Sequence, residues 1–164
     1  MDTKLAWIAG FIDGEGTITI KRAKRGKYGK LYHLPYISCT QVNKERNFIA
    51  LKVLQKTLGG SLSKYVQRPM DGDRIDTITW NVTSRKAKEC AERLLPYLII
   101  KKQQAQLLIK FTTLFVRKDK KTWLTDEEIE KREKFFYKMR TLNVKGKLRL
   151  QRLNEGTAKA DVIV

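Results

Sequence analysis

Two cysteines, one histidine and three prolines are all that 164 residues contain of those types. Cys39 and Cys90 lie too far apart to form a metal motif or a disulfide framework. One histidine with two separated thiols also excludes a zinc centre. No apolar run approaches the ~18 residues of a membrane span. Met1-Asp2-Thr3-Lys4 lacks the basic, apolar and cleavage regions of a signal peptide. These absences predict a soluble, intracellular protein without a membrane partner. Acidic side chains are scarce as well: 17 Asp and Glu face 35 Lys and Arg, a formal charge of +18. Such a charge repels itself, so it implies a polyanionic partner, with nucleic acid ahead of acidic membrane. Charge alone does not separate DNA from RNA, or a binder from an enzyme.

What is present then limits the fold. Apolar residues at 41% and aromatics at 9% exclude a disordered polycation. The length suits one domain with its own core. We expect that domain over residues 1–143, followed by a basic tail over 144–164. The segment Lys21 to Lys30 carries six basic residues and no acid, whereas acids gather between Asp126 and Glu133.

The first helix is expected from Thr3 to Gly14, capped by Asp2 or Thr3. It is apolar nearly all round, which predicts burial on every side. Ala6, Gly10 and Gly14 follow at i, i+4 and i+8 and leave one flank almost bare, where a second helix can approach closely. Thr17 to Lys21 alternates as a strand with one wet face. A second strand follows near Tyr32 to Gln41, with Ile37 and Cys39 inward and Tyr36, Ser38 and Thr40 outward. Asn43 is expected to cap a helix carrying Phe48, Leu51, Leu54 and Leu58, stopped by Gly59-Gly60.

Leu62 to Arg68 and Ile75 to Thr83 read as a hairpin about Asp71-Gly72. One register turns Tyr65, Gln67, Thr77, Thr79 and Asn81 outward and Lys64 inward. A shorter turn would bring Lys64 and Arg68 to the outer face. Ser84 is expected to cap a helix that Pro96 ends, and Gln103 to Arg117 reads as another. Thr125 to Glu128 is a capping box that opens a solvated helix to about Leu142, with i,i+4 pairs Glu127–Lys131, Glu128–Arg132 and Glu130–Lys134. The fold class is therefore α+β: an α-ββ-α-ββ-α core with helices on one face of an antiparallel sheet, then two C-terminal helical segments.

Asp13-Gly14-Glu15-Gly16 places two carboxylates at a helix C-terminus, where the macrodipole is already negative. That arrangement opposes stability and suits capture of a hard divalent cation. Asp13 reads as a cap for neighbouring amides. For Glu15 a cap and a metal ligand are equally open.

Ile8-Ala9-Gly10-Phe11-Ile12-Asp13-Gly14-Glu15-Gly16 resembles the LAGLIDADG motif of homing endonucleases, with Glu at the acidic eighth position. Thr40-Gln41, Pro96-Tyr97-Leu98 and Lys101-Lys102-Gln103-Gln104-Ala105 match further family patterns. A single motif copy resembles the homodimeric branch. The resemblance implies a saddle-shaped sheet and metal-assisted hydrolysis of phosphodiester bonds in a pseudo-palindromic double-stranded DNA target, as in intron mobility. It places the metal on Glu15 and the Gly14 carbonyl, a water-ordering amide on Gln41, and basic groups on Arg46 and Lys101. The metal implied is Mg²⁺ or Mn²⁺, with Ca²⁺ binding without supporting cleavage.

The DNA-facing set is then Thr17, Thr19, Lys21, Arg25, Lys27, Tyr28, Tyr36, Ser38, Thr40, Tyr65, Gln67, Arg68, Thr77, Thr79 and Asn81. The dimer seam is Ala6, Gly10 and Gly14. An intron-RNA maturase and a non-cleaving DNA-binding regulator are the alternatives. RNA is a possible partner that nothing in the sequence indicates.

Overall fold

A computed structural model describes residues 2–25, 30–67, 75–115 and 124–144. The order is α1 (Thr3–Glu15), β1 (Gly16–Arg25), β2 (Lys30–Val42), α2 (Glu45–Leu58), β3 (Ser61–Gln67), β4 (Ile75–Thr83), α3 (Ser84–Leu94), α4 (Lys102–Leu114) and α5 (Asp126–Leu142). The strands form one antiparallel sheet in the order β1-β2-β4-β3. The α+β class and the order of elements match the expectation. Lys27, Tyr28, Arg68, the Asp71-Gly72 turn, Arg117 and the tail beyond Val144 lie outside the described residues.

One sheet face carries Ile18, Ile20, Ile37, Cys39, Ile78, Trp80 and Val82, all buried. They pack against apolar stripes of the helices: Ile8 and Ile12 of α1, Leu51 and Leu54 of α2, Ala87 and Leu94 of α3, Leu108 and Phe111 of α4, and Met139 of α5. Burial of such side chains stabilises the fold by roughly 1.5–3 kcal/mol each before the entropy of ordering is counted. The turn from α2 into β3 depends on glycine. Gly59 and Gly60 have φ of 73° and 92°, and a Cβ on Gly60 would lie 2.5 Å from the Asn81 carbonyl oxygen. Only glycine occupies such a position without strain.

Several local expectations change. Half of α1 is not buried: Trp7 is 46% exposed, and Gly10 and Gly14 face solvent, where an added Cβ would meet nothing within 4 Å. Among the described residues, the core covers one side of α1 and leaves the side of Trp7, Gly10 and Gly14 exposed. Asn43 does not cap α2, which begins after Lys44 without a side-chain cap; the Asn43 amide instead donates to the Asp76 carbonyl. Ser84 does not cap α3. It is the first helical residue, at φ 56°, after Thr83.

The capping box of Thr125 and Glu128 forms, and the pairs Glu127–Lys131 and Glu130–Lys134 are present. Glu128–Arg132 does not form, because the box engages Glu128 while Arg132 is buried against Phe111 and Phe115. Helix α5 is accordingly not merely solvated. It covers part of β1 and β2.

Candidate active site and nucleic-acid face

The end of α1 is fastened by a carboxylate from within the helix. Asp13, 8% exposed, accepts hydrogen bonds from the backbone amides of Ile99 (2.7 Å), Ile100 (3.1 Å) and Lys101 (2.8 Å). Asp13 does bind backbone amides, as expected, but not those of its chain neighbours: they belong to the turn between α3 and α4. That turn delivers the Lys101 side chain, whose ammonium donates to the carbonyls of Ile12 (3.0 Å) and Asp13. Those carbonyls are at the negative end of the helix dipole, which favours a cation there.

Glu15 ends the same helix and is exposed. The Gln41 amide donates to its Oε2 at 3.1 Å. Gln41 lies opposite Ile78 in the β2–β4 ladder and so sits on the helix side of the sheet, directed toward the end of α1. Cys39, two residues earlier on that side, donates from Sγ to the Glu15 carbonyl at 3.7 Å. Burial pushes the Cys39 thiol up to about 11, so it offers no thiolate ligand. Glu15, Gln41 and Lys101 therefore converge on one helix end. Arg46 is exposed in the first turn of α2, and among the described residues it makes no hydrogen bond or ion pair with these three.

The donors here are carboxylate and carbonyl oxygens, the set that Mg²⁺ and Mn²⁺ take. Glu15 and the exposed Gly14 carry the oxygens that fit such an ion. Among the described residues no three His, Cys, Asp or Glu side chains cluster as a metal site; of the two carboxylates at this helix end, Asp13 is engaged by backbone amides and Glu15 is exposed.

The other sheet face is mostly polar, with Ala23, Leu34 and Ile75 among its residues. The pairings Thr17↔Ser38, Thr19↔Tyr36 and Lys21↔Leu34 put the expected first-hairpin residues outward. Lys21 Nζ lies 3.3 Å from the centre of the Tyr36 ring. In the second hairpin Tyr65↔Thr77 and Ser63↔Thr79 settle the register, with Lys64 opposite Ile78 on the helix side. Thr40 shares a 2.8 Å hydroxyl hydrogen bond with Thr79, and Thr77 donates to the Tyr65 carbonyl. Thr77 and Thr79 are each 8% exposed and form the floor of this face. Arg25 and Gln67 are placed by backbone alone, at the ends of β1 and β3. Tyr32, Leu34, Ser61, Ser63 and Thr83 share the outer face and were missed; carrying the period-2 alternation to the full strand lengths would have found them.

The LAGLIDADG endonuclease family model matches residues 8–113. The DNA endonuclease I-CvuI of Chlorella vulgaris is 32% identical over 107 residues, which are 65% of this chain and 62% of the relative. The chain thus matches less than two thirds of that relative's length. The crystal structure of I-CvuI in complex with a DNA target in the presence of Mg is similar with a TM-score of 0.66 at 24% identity, covering 99% of this chain and 97% of that one. The I-SmaMI LAGLIDADG homing endonuclease bound to cleaved DNA has a TM-score of 0.59 at 18% identity, covering 85% of this chain and 45% of that one. These structural likenesses show a shared fold.

Proposed function

Since this chain belongs to the LAGLIDADG endonuclease family, we propose that it is a site-specific homing endonuclease that cuts both strands of a pseudo-palindromic DNA target. The observation that carries the reading is the convergence of Glu15, Gln41 and Lys101 at the end of α1. A non-cleaving binder has no use for an exposed carboxylate at the negative end of a helix, facing a polyanion.

Glu15 and the Gly14 carbonyl would hold a divalent cation, Mg²⁺ or Mn²⁺. When bound, the ion supplies Lewis-acid stabilisation of charge on a phosphodiester undergoing in-line hydrolysis. Gln41 fixes the Glu15 carboxylate through its amide and leaves its own carbonyl oxygen as an acceptor for water. Lys101 holds a fixed positive charge where negative charge develops in the transition state. Asp13 fixes the turn that carries Lys101, so its contribution is positional. The polar outer face of the sheet lies in the major groove, whose base edges distinguish all four pairs.

Cutting two strands needs two sites, and one chain supplies one Glu15. We infer a homodimer joined along Ala6, Gly10 and Gly14, on a target of about 20 bp, roughly one helical turn per subunit. Gly10→Leu tests it: Gly10 is exposed and an added Cβ meets nothing within 4 Å in the single chain, so the loss should fall on the seam. Sedimentation should give folded monomers that no longer make double-strand breaks. A dimeric Gly10→Leu protein that cuts both strands overturns the seam.

The chemistry is tested on a supercoiled plasmid carrying the uninterrupted junction of the gene that hosts this reading frame. The wild type should linearise it with Mg²⁺ and not with EDTA. Glu15→Gln should bind it without cutting, whereas near-wild-type cleavage by that variant removes Glu15 from the mechanism.

A further inference from the structure

Beneath the first hairpin lies a polar cluster that the cleavage site does not use. Arg22 and His33 are directly opposed in the β1–β2 ladder on the helix side of the sheet. The His33 side chain is fully buried. Glu133 of α5 binds both: its Oε2 accepts from Arg22 Nη1 at 2.9 Å and its Oε1 contacts His33 Nε2 at 2.6 Å. Tyr137 accepts a second hydrogen bond from Arg22 at 3.4 Å, and the Phe136 ring stacks under the guanidinium at 4.9 Å and meets the His33 ring at 6.2 Å. Glu133, Phe136 and Tyr137 stand at i, i+3 and i+4 and present one helix face.

A carboxylate only 19% exposed, set against a fully buried imidazole, needs partners of this kind, because leaving a buried polar group unmatched is costly. Here the partners come one from each strand of a single cross-strand pair. The clasp therefore fixes the strands' twist and their height above α5 at that level. The neighbouring residues on the outer face are Lys21 opposite Leu34 and Ala23 opposite Tyr32. Their height and tilt over a groove follow from the pair below them.

We propose that Glu133 is a positioning residue for DNA readout: through Arg22 and His33 it sets how Lys21, Tyr32 and Leu34 meet the outer base pairs of each half-site. This rests on the proposed reading of the sheet as the DNA-binding face. Its mark is positional. Loss of the clasp blurs discrimination under the far end of the hairpin and leaves intact the base pairs under Thr17 and Ser38, near the end of α1.

The experiment compares wild type and Glu133→Gln on a panel of target duplexes, each with one base pair changed, by equilibrium binding. The expected result is a loss of discrimination of roughly ten-fold at the outer positions, within what one mismatch ordinarily costs, with wild-type values at the inner positions. Arg22→Gln removes one arm of the clasp at a side chain that is 38% exposed, and should reproduce the same local pattern in a protein whose thermal melt stays cooperative. A uniform loss across all positions, or an unchanged profile, overturns the positioning role. A wild type that discriminates at no position overturns the DNA-reading function itself.

Discussion

The two hairpins are alike above and different below. Both present alternating polar residues on the outer face, Thr17, Thr19 and Ser38 in the first, Ser63, Tyr65 and Thr77 in the second. On the helix side, the first hairpin carries Arg22 and His33 out to its far end, where α5 closes over them with Glu133, Phe136 and Tyr137. The second carries Lys64 and Val66 at comparable positions, and both are exposed, Val66 at 45%. An inward strand position is thus buried only where a helix lies over it. The consequence is a difference in how the far ends are held: the first by a partly buried ionic clasp contributed by another element, the second by its own ladder.

The largest way to break this comparison is to remove what the hairpins share. Trp80 is fully buried, lies opposite Cys39 of the first hairpin and Leu62 of the second, and donates from Nε1 to the Gly59 carbonyl at 2.8 Å. Trp80→Ala should cost about 3–5 kcal/mol in urea unfolding, and both hairpins should lose amide-exchange protection together. Gly60→Ala acts on the second hairpin alone, at its entry. Its φ of 92° and the 2.5 Å approach to the Asn81 carbonyl predict a loss of about 1–3 kcal/mol. The cost at Gly59 should be smaller, because there a Cβ meets only the flexible end of Lys86. Equal losses at the two glycines would show that positive φ, not the close approach, sets the cost.

Acid should sharpen the difference between the hairpins. Burial holds His33 below its ordinary value of 6.5, against the pull of Glu133 and with Arg132 and Arg22 adding to the depression. The unfolded chain therefore takes up this proton first as the pH falls. The stability contribution of neutral His33 is full above about 6.5 and declines as the pH drops from there toward the lowered folded value, by at most about 1.4 kcal/mol per pH unit for one proton. Amide exchange in β1 and β2 should accelerate over that window before that in β3 does. His33→Gln should flatten the response. At the small end, Val66→Thr should change stability by no more than about 0.5 kcal/mol, since the position is wet. A larger loss would mean that the second hairpin is covered after all.

Near-neighbour physics made much of this chain legible in its sequence. The alternation at Thr17 to Lys21 and at Tyr36 to Thr40 gave the faces of β1 and β2, and Thr125 and Glu128 gave the start of α5. The acidic end of α1 marked the site, because carboxylates against a helix dipole have few structural uses. Near-neighbour physics left three things open, and only the family resemblance had pointed Gln41 and Lys101 toward Glu15. The order β1-β2-β4-β3 requires the hairpins to join along β2 and β4. The end of α1 meets Gln41 only once β2 lies beside it, and meets Lys101 only once the turn after α3 docks on Asp13. Glu133 finds its partners a full hairpin and three helices earlier in the chain. Periodicity and capping depend on residues within a few positions of one another, so the sequence by itself settled the order of the elements and the faces of β1 and β2, and left open the face of α1 and the register of β3 and β4. Which element covers which face depends on packing across the whole core, so only the tertiary structure decided that Gln41 reaches Glu15, that Asp13 serves Lys101, and that α5 covers the far end of the first hairpin while Lys64 and Val66 of the second stay exposed.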